Sequence, residues 1–162
     1  MMMRRIIKCD EGAAAAEMAL VLPFLIVMLF GGMELSYYFY NEHQVMKGVR
    51  DGARFASRQP FTAINCSTAI PGSVQTAIKE VTRTGQLSGG IARVPGWTNA
   101  DVTVSVSCPA TAVTMGIYRD EPNAPRVKIV TTVDYQSLFD GIGVIDSTYT
   151  INAEQQAAVM GI

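Results

Sequence analysis

Apolar residues along this chain follow two different patterns, one continuous and one periodic. Residues 13–33 form an almost unbroken apolar run that contains a single acid, Glu17. In a helix this run measures about 31 Å at about 1.5 Å per residue, which matches the hydrocarbon thickness of a bilayer. The run therefore predicts a transmembrane segment over residues 13–33, preceded by a short leader, residues 1–12.

A secretory signal peptide is the alternative interpretation of this segment. The apolar core of a signal peptide has only about 7–15 residues and ends at small residues that mark a cleavage site. Here the small residues, Ala13–Ala16, come first, and "GGMELSYY" follows the run. This order favours a span that is retained in the membrane.

A periodic pattern begins where the apolar run ends. Apolar residues recur at helical spacing at Leu35, Tyr38, Phe39, Val45, Met46, Val49, Ala53 and Ala56. Tyr37, Tyr38 and Tyr40 cluster just beyond the run, as aromatic residues do at a membrane interface. Since Pro60 ends the pattern, we expect one long helix over about residues 13–58, whose outer half packs against its own domain.

The remaining chain has the pattern of a small α+β domain. Residues 72–86 carry apolar residues at helical spacing, with Ser73 as the expected N-cap. Three later segments alternate with period two, and we expect these residues to share one face in each: Val102, Val104, Val106 and Cys108; Val127, Ile129, Val133 and Tyr135; Tyr149, Ile151 and Ala153. The predicted fold class is α+β, a long N-terminal helix followed by a small antiparallel-sheet domain, with residues 34–162 outside the membrane.

Charge and cysteine content narrow the function. The chain has 13 Lys+Arg against 14 Asp+Glu, so it lacks the basic excess that binds nucleic acid. Cys66 and Cys108 follow the apolar run whereas Cys9 precedes it, so a membrane would separate them. The pair favours a disulfide, Cys66–Cys108, in an oxidising compartment such as a periplasm; two free buried thiols are the alternative.

Little in the sequence points to catalysis, a cofactor or a metal. His43 stands alone, the glycines at 85, 89 and 90 lack the ending of a phosphate loop, and Asp134, Asp140 and Asp146 are too sparse for a calcium loop. We therefore expect no enzymatic activity, no cofactor and no metal site. Arg4, Arg5 and Lys8 before the span predict a cytoplasmic leader and a periplasmic domain, in a single-pass protein of the inner membrane.

Two stretches carry a resemblance to a known family. The first, "GAAAAEMALVLPFLIVMLFGGMELSYYF", has an alanine-rich start, an E-x-A-L-V-L-P motif and a G-x-x-E motif at Gly31 and Glu34. The second, "VRDGARFAS", is similar to the family stretch AAREGARYAA. Together, over about residues 11–58, they resemble the TadE-like pseudopilins. A glycine five residues before an acid, here Gly12 and Glu17, also resembles the class III signal of type IV pilins.

The resemblance implies a structural role. TadE-like proteins are minor pseudopilins of the tight-adherence (Tad) machinery, which builds Flp pili, type IVb fibres for surface adhesion. It implies cleavage by a prepilin peptidase between Gly12 and Ala13, and docking of Glu17 onto the new terminal ammonium of a neighbouring subunit. The implied partners are other TadE-like or TadF-like minor pseudopilins, the Flp pilin, the inner-membrane Tad assembly platform and the lipid bilayer, with a final place in a surface pilus.

Two alternatives remain open at this level. Glu17 could be an acid that extends toward the membrane face without a partner. The whole chain could instead be a permanently anchored, single-span envelope protein whose periplasmic domain binds a ligand or a partner. The mature amino terminus distinguishes the two functions, because only a pseudopilin loses its leader.

Overall fold

The long helix and the sheet domain are both present in the computed structural model. It describes residues 10–109, 116–119, 123–139 and 147–161, with side chains from residue 12 onward. Most of the leader with Cys9, and the acids Asp140 and Asp146, lie outside the described residues.

Helix α1, Asp10–Ser57, contains 48 residues and continues through Pro23 without a break. At about 1.5 Å per residue it is about 72 Å long. The prediction of a single helix from the apolar run into the domain is therefore confirmed. One end of α1 is exposed and the other belongs to the core, so the domain is attached directly to the membrane-length segment.

Helix α2, Gly72–Thr84, follows a loop that begins at Pro60. The predicted N-cap was wrong: Pro71 occupies that position, and no side chain caps the helix. The backbone supplies the bond instead, because Gln75 N donates to the carbonyl of Pro71. At the other end Gly85 adopts φ 80°, a left-handed conformation that suits glycine and ends the helix.

Three antiparallel strands follow in the order β1-β2-β3. Their bounds are Val102–Ser107 for β1, Arg126–Asp134 for β2 and Thr150–Ala158 for β3. Val104 pairs with Ile129, and Val133 pairs with Ile151. Helix α1 packs on β2 and β3 whereas α2 packs on β1, which gives two layers with the core between them. The predicted α+β class is confirmed.

The core lies on the predicted faces of the strands, with one exception. Val102, Val104, Val127, Ile129, Val133, Tyr135 and Ile151 are all buried. Trp97 is also buried, and its indole N–H donates to Thr131 Oγ1 at 3.0 Å. Tyr149 was assigned wrongly, since its side chain is 52% exposed. It precedes β3, and only its backbone carbonyl joins the ladder, by accepting from Tyr135 N.

The buried face of α1 differs from the predicted stripe near the membrane. Val45, Val49, Ala53 and Ala56 are buried as expected, but Leu35, Phe39 and Met46 are exposed. Glu34 and Asn41 occupy the buried face in their place. Asn41 lies about one helical turn before Val45, and Glu34 lies about two turns before Asn41, so a polar end continues the apolar core stripe.

Candidate functional site

Residues 12–29, in the amino-terminal half of α1, have no protein packed on them within the described chain. Every residue from Gly12 to Leu29 is exposed, including Leu20, Phe24 and Met28 at 73%, 74% and 76%. The segment has a mean hydropathy of 2.3 in its most apolar stretch, which is long and apolar enough to cross a membrane. So large an exposed apolar surface requires either lipid or another protein around it.

The predicted processing and docking residues lie on this exposed half. Gly12 and Ala13 are within the helix rather than before it, because α1 begins at Asp10. Glu17 is one turn farther on and is exposed. In the described part of the chain it makes no hydrogen bond and no ion pair, so its carboxylate is available to a group from another molecule.

A buried carboxylate marks the point where α1 enters the domain. Glu34 has no exposed surface. It accepts a hydrogen bond from the Tyr135 hydroxyl at 2.7 Å and from the backbone N–H groups of Leu138 and Phe139, each at 3.2 Å. We call residues 137–139, which follow β2, the docking loop. Glu34 thus connects the helix, the end of β2 and the docking loop.

The electrostatics of Glu34 follow from these donors. Burial alone would raise the pKa of the Glu34 carboxyl, but the hydrogen bonds from Tyr135, Ser137, Leu138 and Phe139 together outweigh it and lower the pKa. Burial, and then the bond to Glu34, raise the pKa of the Tyr135 hydroxyl. The pair is therefore held as a carboxylate with a neutral phenol that donates to it.

Aromatic rings surround this carboxylate. Tyr38 and Tyr135 meet edge to face with centroids 5.2 Å apart, and Tyr37 lies 6.1 Å from Tyr135. On the membrane side Phe139 of the docking loop contacts Phe30 of α1, with centroids 5.0 Å apart. Two of the three tyrosines predicted to mark the interface, Tyr37 and Tyr38, therefore contact the end of β2.

The second motif lies at the crossing of α1 and α2. A Cβ atom on Gly48 would collide with the backbone carbonyl of Thr82, and one on Gly52 would collide with the Thr82 hydroxyl. Only glycine allows the helices to approach this closely. Between them Asp51 accepts a hydrogen bond from Arg93 at 2.7 Å, which joins α1 to the loop after α2.

Residues 12–54 match the family model described as TadE-like protein. This segment is similar to TadE-like proteins. The resemblance inferred from the two sequence stretches is confirmed, and the match indicates a component associated with the Tad pilus. Neither the curated proteins nor the solved structures gave a match to the chain.

The TadE-like segment contains most of the features described above. It begins at the predicted cleavage glycine and includes Glu17, Glu34 and the glycine crossing, and it ends at Arg54 inside α1. The sheet domain therefore lies outside the match. The motif acid Glu34 and the motif glycine Gly52 are two of the positions at which the TadE-like segment contacts the rest of the domain.

The cysteine pair lies at the far end of the domain. The Cys66 and Cys108 sulfurs are 2.08 Å apart, a disulfide distance, with their Cα atoms 5.8 Å apart. The bond would join the loop before α2 to the end of β1. The predicted site residues therefore form two separate groups. Gly12, Ala13 and Glu17 lie near the amino terminus of α1, whereas Cys66 and Cys108 lie within the domain.

Sequence reasoning noted Glu34 only as part of a motif and did not predict its role. The signal was present, because Glu34 falls in phase with Val45 and Val49 on the buried face of α1. Tyr135, its partner, was expected in the core. As for catalysis, the described residues contain no cluster of three or more metal-ligating side chains, and the lack of enzymatic activity stays a prediction.

Proposed function

We propose that this chain is a minor pseudopilin, a structural component of Tad (Flp) pilus assembly that supports surface adhesion. The observation that carries the proposal is the TadE-like segment itself. Its first half is a fully exposed apolar helix, and its second half is the central helix of a folded domain. A subunit with this form can be held in a membrane and later transferred, as a unit, to a bundle of similar helices.

Continuity of α1 is the mechanical part of the proposal. Glu34, the aromatic cluster and the glycine crossing fix residues 34–57 to the sheet and to α2, so the domain cannot rotate freely about the apolar half. The orientation of the domain is then determined by how residues 13–33 pack against neighbouring subunits. This supports a role in which the membrane segment sets the geometry of assembly.

Glu17 supplies the specificity in this scheme. Prepilin peptidase would cut between Gly12 and Ala13 and create an ammonium group on Ala13. A carboxylate in an apolar environment costs several kcal/mol, about 2.5–3.5 on insertion scales, unless it finds a partner. Glu17 has none within the described chain, so the terminal ammonium of a neighbouring subunit is the partner we propose. A buried ion pair of this kind selects register more than it adds stability.

Location and partners follow from the same reasoning. We propose a single-pass protein of the inner membrane with a cytoplasmic leader and a periplasmic domain, in which an oxidising environment maintains the Cys66–Cys108 bond. The proposed partners are prepilin peptidase, TadE-like or TadF-like pseudopilins, the Flp pilin and the Tad assembly platform.

The test is the amino terminus of the mature protein. Sequencing of the protein purified from cell envelopes should find Ala13 as the first residue. A Gly12→Leu variant should keep its leader and remain in the membrane, and it serves as the matched control. A wild-type protein that still begins with the leader would favour a permanently anchored envelope protein over a pseudopilin.

A further inference from the structure

The docking loop reaches back to α1 at the level where the apolar run ends. Its two large apolar residues are Leu138 and Phe139. Phe139 packs on Phe30, with ring centroids 5.0 Å apart, and Phe30 belongs to the predicted span 13–33. Leu138 is 50% exposed. An exposed leucine of the domain therefore lies beside the last turn of the membrane-length segment.

The backbone of this loop is already prepared for an apolar environment. In lipid, each backbone N–H group must have a partner within the protein, because no water is present to bind it. The N–H groups of Leu138 and Phe139 both donate to the Glu34 carboxylate at 3.2 Å. Two consecutive apolar residues thus have their donors satisfied by one buried acid, and the exposed side chain of Leu138 is free to contact lipid.

Exposed apolar and aromatic residues of α1 lie on either side of Glu34 along the helix axis. Leu29 and Met33 on α1 are 60% and 50% exposed. Tyr40, 55% exposed, lies on the far side of Glu34 along the helix, where an interfacial aromatic residue is expected. Along the axis of α1, the loop held by Glu34 therefore lies at the level between these apolar residues and this tyrosine, where the headgroup boundary is expected.

We propose that the docking loop is a second membrane contact, in which Leu138 inserts at the boundary between lipid headgroups and acyl chains while Glu34 holds the loop in place. The proposal rests on the membrane insertion of residues 13–33 that is part of the proposed function. A bilayer contact of this kind fixes the tilt of the domain before a subunit leaves the membrane.

Spin labels measure this contact in the full-length protein, reconstituted into vesicles of phosphatidylethanolamine and phosphatidylglycerol. A Cys9→Ser background removes the unpaired thiol, and Leu138→Cys introduces the label. Leu25→Cys, at a 52% exposed position inside the span, is the lipid reference. Ile91→Cys, at a 91% exposed position, is the water reference. Ile91 is close in sequence to Arg93, whose partner is Asp51. Asp51 lies about 25 Å beyond Glu34 along α1, on the side away from the span.

Relaxation by dissolved oxygen, which concentrates in lipid, is compared with relaxation by a water-soluble nickel chelate. At position 138 the nickel effect should be several-fold weaker than at position 91, and the oxygen effect should approach that at position 25. Equal nickel access at 138 and 91, with position 25 still in lipid, would overturn the loop contact and leave the span intact. Nickel access at position 25 would overturn both.

Two further measurements test whether lipid or a second copy of the chain covers the docking loop, and whether Glu34 holds the loop in place. Shielding of position 138 from both reagents, together with dipolar broadening between labels, would show that a second copy of the chain covers the loop, and it would refute the lipid contact. Adding Glu34→Gln to Leu138→Cys should raise nickel access several-fold while Trp97 emission reports an intact core. Unchanged access would refute the holding role of Glu34.

Discussion

Replacement of Glu34 tests whether a buried acid connects the helix to the sheet. In Glu34→Ala, four donors lose their acceptor: the hydroxyls of Tyr135 and Ser137 and the backbone N–H groups of Leu138 and Phe139. A hydrogen bond to a charged group contributes about 1.5–3 kcal/mol, and an orphaned buried donor costs about 1–3 kcal/mol. Because the loop can still reach water, we expect a loss of about 3–5 kcal/mol in the free energy of unfolding rather than the full sum.

The contribution of the Tyr135–Glu34 hydrogen bond to stability can be measured separately from that of the other bonds to Glu34. Tyr135→Phe removes a single donor and leaves the carboxylate with its two backbone N–H partners, so it should cost about 1–2 kcal/mol. The double variant should cost less than the two single losses added together, since each single change already breaks the same bond. Glu42→Ala, at a half-buried acid on the same helix, is the matched control and should change stability by about 0.5 kcal/mol or less.

Urea unfolding of the full-length protein in mild detergent provides the measurement. The chain has one tryptophan, Trp97, which is 1% exposed in the core and so reports directly on loss of the sheet domain. A midpoint for Glu34→Ala that coincides with that of Glu42→Ala would refute the connecting role. Additive losses for Glu34→Ala and Tyr135→Phe would show that the two side chains do not act on each other.

The other predictions concern pH, the cysteine pair and the helix crossing. Because folding lowers the pKa of Glu34, the stability contributed by its carboxylate is complete above the unfolded carboxyl pKa of about 4.3 and is lost as pH falls through the folded value. On acidification, the free energy of unfolding should therefore fall more steeply for wild type than for Glu34→Gln. Removing the Cys66–Cys108 bond with Cys66→Ser and Cys108→Ser should cost about 4 kcal/mol by loop entropy; equal masses after alkylation with and without reductant would show that no bond exists. Gly48→Ala should cost about 1–3 kcal/mol in urea unfolding by forcing α2 off α1, whereas Gly32→Ala, with open space around it, should not.

The sequence predicted the parts of this fold in which one physical effect dominates. The apolar run is longer than any core helix needs, and strict alternation in Val102–Val106 leaves only one face to bury. The apolar run therefore correctly predicted a helix, α1, and the alternation correctly predicted a strand, β1. The disulfide distance between Cys66 and Cys108 agrees with the sequence argument, which placed these two cysteines after the predicted span and Cys9 before it.

The errors occurred where two effects compete. Leu35 and Phe39 are more hydrophobic than Glu34 and Asn41, so hydrophobicity alone assigned them to the core. The helical register is fixed farther along, at Val45 and Val49, and extending it backward brings the polar residues inside. Burial of Glu34 is tolerated because Tyr135 and the docking loop donate hydrogen bonds to it, and these residues lie about a hundred positions later and cannot be inferred from the helix alone.

The expected cap at Ser73 failed for a simpler reason. Serine is a good N-cap only if the helix begins directly after it, and here the backbone carbonyl of Pro71 already accepts from Gln75 N. The site predictions Gly12, Ala13 and Glu17 depend on a second subunit and a peptidase, which a single chain does not contain. They stay predictions.

Surface piliation of cells that lack this chain tests the central claim most directly. Wild-type protein supplied in trans should restore Flp pili and attachment. Glu17→Val should be cleaved and inserted but should not restore them, because the neighbouring ammonium loses its partner in a low-dielectric site. Normal piliation without the chain would contradict the assignment as an assembly component. Normal piliation with processed Glu17→Val would contradict the docking role of Glu17.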